Sequence, residues 1–271
     1  MKCRFPILVT VKGRQIYVPC GKCAWCVKRL RDEWFLRLKY EGSKAVCRSF
    51  VTFTYRDDDL PTVIDYDTGE IIPTVSFRDV QLFHKRLRKN LKFRYMLCSE
   101  YGPKTGRPHY HGVYFHDHPY DIAGSWPFGD NNSQYPARDG SYKYILKYIL
   151  KGSIVPEGAV PNFRSMSRRP GLGYGFSYKG GNYILDSNGV HQVVPRYYTK
   201  CYLNSLNDKT RDLIQENKLD YLSELPQHHQ FHEEFDSLID DGSLNPNTSF
   251  EDWLSKKYRL DFEKQVKINR K

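Results

Sequence analysis

The sequence predicts an α+β fold, in which an antiparallel β-sheet core with helices follows a cysteine-rich N-terminal segment and precedes a C-terminal helical tail. Two observations predict it. Between residues 48 and 152 the hydrophobic pattern gives the order strand, helix, strand, turn, strand, loop, helix. A turn rich in Gly and Pro at 102–108 separates two of these strands, so they should pair antiparallel, with the helices on one face of the sheet.

Local patterns predict the elements in chain order. Residues 6–11 and 15–19 predict a hairpin, and a basic helix after the cysteines should stop near Gly42. Ser76 is a typical N-cap for the helix that follows it. The other expected elements are a helix at 76–91, strands at 48–55, 93–102 and 109–115, a helix at 141–152, a hairpin at 182–198 and helices beyond 206, with loops at 57–73, 116–140 and 153–181.

Charge and composition divide the chain into three expected parts, which are a cysteine-rich segment (1–47), the core (48–205) and an acidic helical tail (206–271). The net charge is +11, but the tail holds 10 Lys and Arg against 14 Asp and Glu, which leaves 32 against 17 in the preceding residues. A basic body with 21 Tyr favours a nucleic-acid partner, because cations neutralise phosphates and rings stack on bases. The alternative is a basic globular protein without such a partner.

Hydropathy argues against membrane insertion and secretion. No apolar run reaches the roughly 18 to 20 residues that a membrane helix needs, so we expect no membrane partner. The N-terminal apolar stretch is short and lacks a small-residue cleavage site, so we expect no signal peptide.

Four cysteines near the N-terminus are candidate ligands of one metal ion. Cys20, Cys23 and Cys26 form a C-x2-C-x2-C run, and the predicted hairpin would return Cys3 to it. Zinc in structural sites takes four ligands in a tetrahedron, so this set predicts structural Zn²⁺. Free or redox-active thiols and an iron–sulfur cluster are the alternatives.

A second candidate metal site lies on two predicted strands. His109 and His111 are two residues apart, so both imidazoles should point to one face of a strand. The tight turn should bring Glu100 of the preceding strand beside His109. Two nitrogens and one carboxylate make a half-open site that leaves positions for a phosphate oxygen. Histidines that merely occupy a strand are the alternative.

Two tyrosines on the predicted helix at 141–152 are candidate nucleophiles. Tyr144 and Tyr148 are four residues apart and should share a face, and each is followed three residues later by a lysine, Lys147 or Lys151. Phenol is a weak nucleophile near neutral pH, so attack on a phosphate needs a cation and nearby positive charge. The alternative is an amphipathic helix with half-buried tyrosines.

A metal site and two phenols together fit the cleavage of a phosphodiester with retention of the 5′-phosphate on tyrosine, and a second tyrosine permits a second transfer. With these features the chain resembles the HUH endonucleases, the rolling-circle replication initiators. The matching stretches are 51–54 (V-T-F-T), Glu100 with 108–111 (P-H-Y-H), and the tandem Tyr-x-x-Lys at 144–151.

Within that superfamily the chain is similar to the initiators of microviruses, and in particular to those of gokushoviruses. The similarity includes the cysteine run with its Trp-containing helix (20–34), the stretch at 166–173 and the Pro-Arg-Tyr-Tyr at 195–198. It covers about residues 3–200. The resemblance implies an RRM-like sheet with the tyrosine helix packed against it, bound Mg²⁺ or Mn²⁺, and nicking of single-stranded DNA at a replication origin.

The resemblance also implies roles for basic residues. Lys147 and Lys151 would position the metal ion or the phosphate. Arg164, Arg168 and Arg169, in a loop rich in Ser and Gly, would clamp the DNA backbone, although solvated side chains explain these three equally well. The protein would act in the host bacterial cytoplasm, and its tail could contact a host helicase or polymerase.

Two other functions remain open from the sequence. A non-catalytic, zinc-containing nucleic-acid-binding protein explains the cysteines and the charge, but not the His pair and the tyrosine helix. A transposase or conjugative relaxase of the same superfamily keeps the chemistry, yet relaxases usually carry three histidines and an N-terminal tyrosine.

Overall fold

The computed structural model describes residues 3, 5–103, 105–150, 155–180, 183–185, 191–224, 229–248 and 253. The chain divides into two compact units, one made of residues 1–29 with 204–271 and the other of residues 30–203. The strands are β1 (Ile7–Val11), β2 (Arg14–Val18), β3 (Cys47–Phe53), β4 (Thr62–Ile64), β5 (Ile71–Pro73), β6 (Phe93–Tyr101), β7 (Pro108–His116), β8 (Ser133–Pro136), β9 (Arg164–Met166), β10 (Tyr183–Leu185) and β11 (His191–Val193). The helices are α1 (Ala24–Lys44), α2 (Phe77–Leu87), α3 (Asp139–Leu150), α4 (Arg196–Ser205), α5 (Asp208–Glu224) and α6 (His229–Asp240).

The unit of residues 30–203 is built on a five-stranded sheet in the order β8-β3-β7-β6-β9. Every neighbouring pair in this sheet is antiparallel. The predicted α+β class, with its antiparallel sheet and helices, is therefore confirmed. The central strands β6 and β7 are buried along most of their length, which requires cover on both faces.

Helices cover both faces of the sheet, so the expectation that they share one face was wrong. On the first face, Val80, Phe83 and Leu87 of α2 join a cluster with Phe53 and Tyr114 of the sheet. Ser76 caps α2 as predicted, because its hydroxyl accepts a hydrogen bond from the Asp79 backbone N–H. This face is closed and rich in aromatic rings.

The opposite face is covered by α1 and α3. Leu38 of α1 and Ile145 of α3 are fully buried in a second cluster with Met96 and Val113 of the sheet. Gly42 does not end α1, which continues to Lys44. Its role is close packing, because a Cβ at Gly42 would lie 2.3 Å from the hydroxyl oxygen of Tyr142.

Short elements appear in segments that the sequence predicted as loops. The hairpin of β4 and β5, the edge strand β8 and the edge strand β9 have only three or four residues each. Strands of that length are too short for an alternating pattern to stand out. The predicted hairpin at 182–198 is shorter than expected, because β11 ends at Val193 and α4 begins directly after Pro195.

The other unit pairs the predicted N-terminal hairpin with part of the tail. β1 and β2 are antiparallel, and Lys12 and Arg14 form ion pairs with Glu216 of α5. Arg14 also pairs with Asp220. The predicted helical character of the tail is confirmed for α5 and α6. Among the described residues, no helix is both long and apolar enough to span a membrane.

Candidate active site

The candidate residues lie on the sheet face that α3 covers. Thr52 of β3 is opposite His111 of β7, His111 is opposite Cys98 of β6, and Cys98 is opposite Arg164 of β9. Directly opposite residues of antiparallel strands project to the same face. These four side chains therefore form a row across the sheet, which we call the histidine row.

Glu100 and His109 are opposite each other on β6 and β7, two residues further along the strands. This is the register that the tight turn predicts. Glu100 Oε2 lies 3.0 Å from His111 Nε2, so the carboxylate reaches back to the histidine row. Glu100, His109 and His111 thus share one face at the end of the hairpin.

The environment of His111 favours a neutral imidazole. Burial lowers the pKa of His111 to about 4, so the ring carries a lone pair at neutral pH. Its Nδ1 lies 3.2 Å from the hydroxyl oxygen of Thr52. When Nδ1–H donates to that oxygen, the lone pair is on Nε2, which faces Glu100. Thr52 was noted in the sequence only as part of a motif, and its contact with His111 was not foreseen.

His109 also offers a free nitrogen. Burial, followed by the neighbouring His111, lowers its pKa, and burial raises the pKa of Glu100. His109 Nδ1 is buried and has no hydrogen-bond partner. The ring fits here because Gly102 has no side chain, since a Cβ would lie 3.2 Å from His109 Nε2. Two neutral imidazoles and a carboxylate suit a divalent cation such as Mn²⁺.

The His–Glu set is looser than a closed metal cage. Among the residues that the structure describes, only the four N-terminal cysteines have three or more ligand atoms within 4.8 Å of one another. At least one pair of candidate ligand atoms in the His–Glu set is thus more than 4.8 Å apart, so side chains there would have to move to bind one cation.

Both tyrosines of α3 lie against His111. The Tyr148 ring stacks on the His111 ring with centroids 5.1 Å apart, and the Tyr144 ring meets it edge-on at 5.4 Å. The Tyr148 hydroxyl donates a hydrogen bond to the Tyr144 hydroxyl oxygen at 2.8 Å. Phe50 stacks on His111 from β3 and touches Tyr144 edge-on. Phe50 is a part of this cluster that sequence reasoning missed.

The predicted basic residues fall in different surroundings. Lys147 is exposed, with its Nζ 5.4 Å from the centre of the Tyr148 ring. Burial raises the pKa of Glu100, and the charge of Lys147 offsets a small part of that rise. Arg164 lies at the β9 end of the histidine row, on a strand rather than in the expected loop. Arg168 and Arg169 are exposed in the turn that follows β9. Lys151 lies outside the described residues.

The four N-terminal cysteines converge as predicted. Cys3 Sγ is 3.9 Å from Cys23 Sγ, and Cys20 Sγ is 3.9 Å from Cys26 Sγ. A zinc ion with four bonds of about 2.3 Å separates its sulfurs by about 3.8 Å, so the cluster could hold a metal ion such as zinc. Burial raises the pKa of Cys26 to about 12, and a bound cation would supply the charge that favours thiolates.

Comparisons with known proteins single out the same part of the chain. The family model described as replication-associated protein ORF2 matches residues 48–153, which include the His–Glu set and both tyrosines. The replication-associated protein ORF4 of Chlamydia phage 1 is 26% identical over 230 residues, which cover 69% of this chain and 54% of the relative. The chain resembles phage replication-associated proteins.

Two further relatives are also named replication-associated proteins. The replication-associated protein VP4 of Bdellovibrio phage phiMH2K is 24% identical over 233 residues, covering 70% of this chain and 69% of the relative. The replication-associated protein ORF2 of Spiroplasma virus 4 is 34% identical over 105 residues, covering 36% and 31%. The chain spans 54% of the length of its Chlamydia phage relative. No solved structure matches the chain. The resemblance to phage replication initiators that the motifs indicated is thereby confirmed.

Proposed function

We propose that this protein initiates phage DNA replication by nicking and rejoining single-stranded origin DNA through a 5′-phosphotyrosine intermediate. The contact of His111 with both tyrosines carries the proposal, because it joins a candidate cation site to two candidate nucleophiles. The names of the relatives support a role in replication. The proposed nicking and rejoining reaction rests on the side chains of the candidate active site.

The proposed reaction is a transesterification. A phenol oxygen of Tyr144 or Tyr148 attacks the scissile phosphorus and loses its proton, while the 3′-oxygen leaves and takes up a proton as a free hydroxyl. Attack of a 3′-hydroxyl on the phosphotyrosine reverses the step and rejoins a strand. Each step exchanges one phosphate ester bond for another, so no external energy source is needed. The second tyrosine can accept a second strand before the first bond is released.

The remaining residues bind and position. Glu100, His109 and His111 would hold Mn²⁺ or Mg²⁺, which would polarise the scissile phosphate when bound. Thr52 orients the His111 ring through Nδ1. Lys147, beside Tyr148, would offset negative charge that develops on the phosphate, and Arg164 at the end of the histidine row would bind the DNA backbone.

Covalent capture tests the proposal. The protein, Mn²⁺ and labelled single-stranded oligonucleotides that tile the phage origin should give an adduct that survives denaturation. The double variant Tyr144→Phe/Tyr148→Phe should give none, whereas Tyr142→Phe, on the same helix, should behave as the wild type. Retained adduct in the double variant would contradict the assignment of these two tyrosines as nucleophiles. Binding without any adduct in the wild type would favour the non-catalytic DNA-binding alternative.

Zinc is proposed for the cysteine cluster. Metal analysis of the untreated protein should find about one zinc per chain, as four cysteine ligands require, and Cys23→Ser should lose it. Iron, or no metal, would instead favour the iron–sulfur or free-thiol alternative. A host helicase or polymerase partner and action in the host cytoplasm stay predictions.

A further inference from the structure

An exposed aromatic residue lies on the same face as the candidate active site. Tyr135 of the edge strand β8 is 62% exposed. It is directly opposite Phe50 of β3, so its side chain projects to the α3 face of the sheet. Sequence reasoning had no cause to single it out, because residues 116–140 have the composition of a loop.

The orientation of β8 is fixed by the residue before Tyr135. The side chain of Gln134 projects to the other face, where its oxygen accepts hydrogen bonds from the backbone N–H groups of Ile122 and Ala123. Its nitrogen donates to the carbonyl oxygen of Tyr120. Turning the strand over would break all three bonds, so Tyr135 is held on the α3 face.

Tyr135 extends the aromatic surface of the site to the edge of the sheet. Phe50, its cross-strand neighbour, has its ring 5.6 Å from the Tyr144 ring and 6.1 Å from the His111 ring. Opposite residues on antiparallel strands have Cβ atoms about 5 Å apart. Tyr135 is therefore next to Phe50 across the strands, and Phe50 in turn contacts Tyr144.

We propose that Tyr135 is a substrate-positioning residue that stacks on a base of single-stranded DNA close to the scissile phosphate. This inference rests on the proposed function. The exposed ring leaves apolar surface in water, and a base offers a flat apolar face of matching size. Base faces are hidden in duplex DNA, so stacking here also favours a single strand over a duplex.

Binding measurements without chemistry test the stacking directly. The probe is a fluorescein-labelled oligothymidylate of about 20 nucleotides. Each protein also carries Tyr144→Phe and Tyr148→Phe, so that no cleavage occurs and no chelator is needed that would remove metal from the cysteine cluster. A stacked base contributes about 1–3 kcal/mol, so Tyr135→Ala should weaken binding by about 5- to 150-fold. Tyr135→Phe keeps the ring and should bind like the wild type, and binding of a duplex of equal length should be unaffected by either change.

Tyr66 provides the matched control. It is 97% exposed on the turn between β4 and β5, so Tyr66→Ala removes an even more accessible ring from a hairpin that contributes no residue to the candidate site. We expect it to leave binding unchanged. A thermal melt of each variant reports folding separately from binding.

Crosslinking and kinetics separate positioning from a structural role. With 5-iodouracil placed at successive positions of a cleavable origin strand, irradiation should crosslink Tyr135 only near the scissile phosphate. Tyr135→Ala should raise KM more than it lowers kcat. Equal binding by Tyr135→Ala and the wild type, or equal loss in the Ala and Phe variants, overturns the inference. Absence of any adduct in the wild type overturns the proposed function but leaves the binding result interpretable.

Discussion

Two histidine–tyrosine contacts lie on opposite faces of one sheet and have opposite character. His84 of α2 is 2.7 Å from the hydroxyl of Tyr114 on β7, and Tyr114 is fully buried. His111 of β7 stacks on Tyr148 of α3, and the adjoining Tyr144 is 41% exposed. In the first contact, His84 Nε2 and the Tyr114 hydroxyl form a hydrogen bond with each other.

The comparison shows that residue type alone does not separate a core contact from a site. Burial lowers the pKa of His84 to about 3 and that of His111 to about 4, so both rings are neutral at physiological pH. What differs is the surroundings, because His111 Nε2 faces the carboxylate of the partly buried Glu100, and the His111 ring contacts the exposed Tyr144. We therefore expect changes to His111 to affect activity, and changes to His84 to affect stability.

The largest expected effect is that of His111→Ala on nicking. Loss of a ligand removes the several kcal/mol that a cation contributes to the transition state, so the rate should fall about 10²- to 10³-fold. The melting temperature should also fall, because His111 is buried against Phe50 and Tyr148, so the nicking rate is compared per folded molecule. Single-turnover adduct formation and a thermal melt measure the two effects. An active His111→Ala protein would contradict the assignment.

His84→Ala should show the reverse pattern. It leaves a cavity in the aromatic cluster and deprives the buried Tyr114 hydroxyl of its partner, so the free energy of unfolding should fall by about 2–4 kcal/mol. Urea denaturation measures this change. The folded fraction should nick at nearly the wild-type rate, and a large loss of activity per folded molecule would break the distinction between the two faces.

Thr52→Val tests whether His111 is oriented from β3. Valine keeps the shape but removes the hydroxyl beside Nδ1, and losing such an outer contact typically lowers metal affinity about 10- to 100-fold. Calorimetric titration with Mn²⁺ measures it. Thr52→Ser keeps the hydroxyl and is the control. Equal Mn²⁺ affinity in the Val and Ser variants would show that Thr52 does not orient the ring.

Acid pH should lower the stability that His84 contributes, and this effect should be smaller than those of the substitutions above. The pKa of His84 is about 3 in the folded protein and near 6.5 when unfolded, so between these values the unfolded chain binds one proton more. Stability attributable to His84 is present above pH 6.5 and falls as pH drops, by up to about 1.4 kcal/mol per pH unit. Urea denaturation across this range measures the slope.

Other histidines also make the protein less stable as pH drops, since burial lowers the pKa values of His109, His111 and His116 as well. His84→Ala should therefore reduce the slope by up to one proton rather than abolish it. An unchanged slope in His84→Ala would mean that His84 is not held neutral in the folded protein.

Local patterns were sufficient to predict the elements that position the site. The Ser76 cap with apolar helical spacing predicts α2, and the tight turn at 102–108 fixes Glu100 opposite His109. The four-residue spacing of Tyr144 and Tyr148 gives them a common helix face. These features depend on neighbours in sequence, for which periodicity and turn chemistry are reliable guides.

The parts that could not be predicted depend on contacts between distant segments. β8 and β9 are edge strands formed only by pairing with β3 and β6, so their short sequences have no independent signal. Phe50 joins the site because β3 lies next to β7 and under α3. The cover on both sheet faces could have been suspected from the short apolar runs at 95–98 in β6 and 112–115 in β7, which resemble strands buried on both faces.

The most direct test is mass mapping of the residue that carries DNA after one turnover. Wild-type protein with Mn²⁺ and a cleavable origin strand should yield a nucleotide-modified peptide from α3, with the phosphate on Tyr144 or Tyr148 beside His111. Modification of any other tyrosine, or DNA cleavage with no peptide modified, would contradict the account.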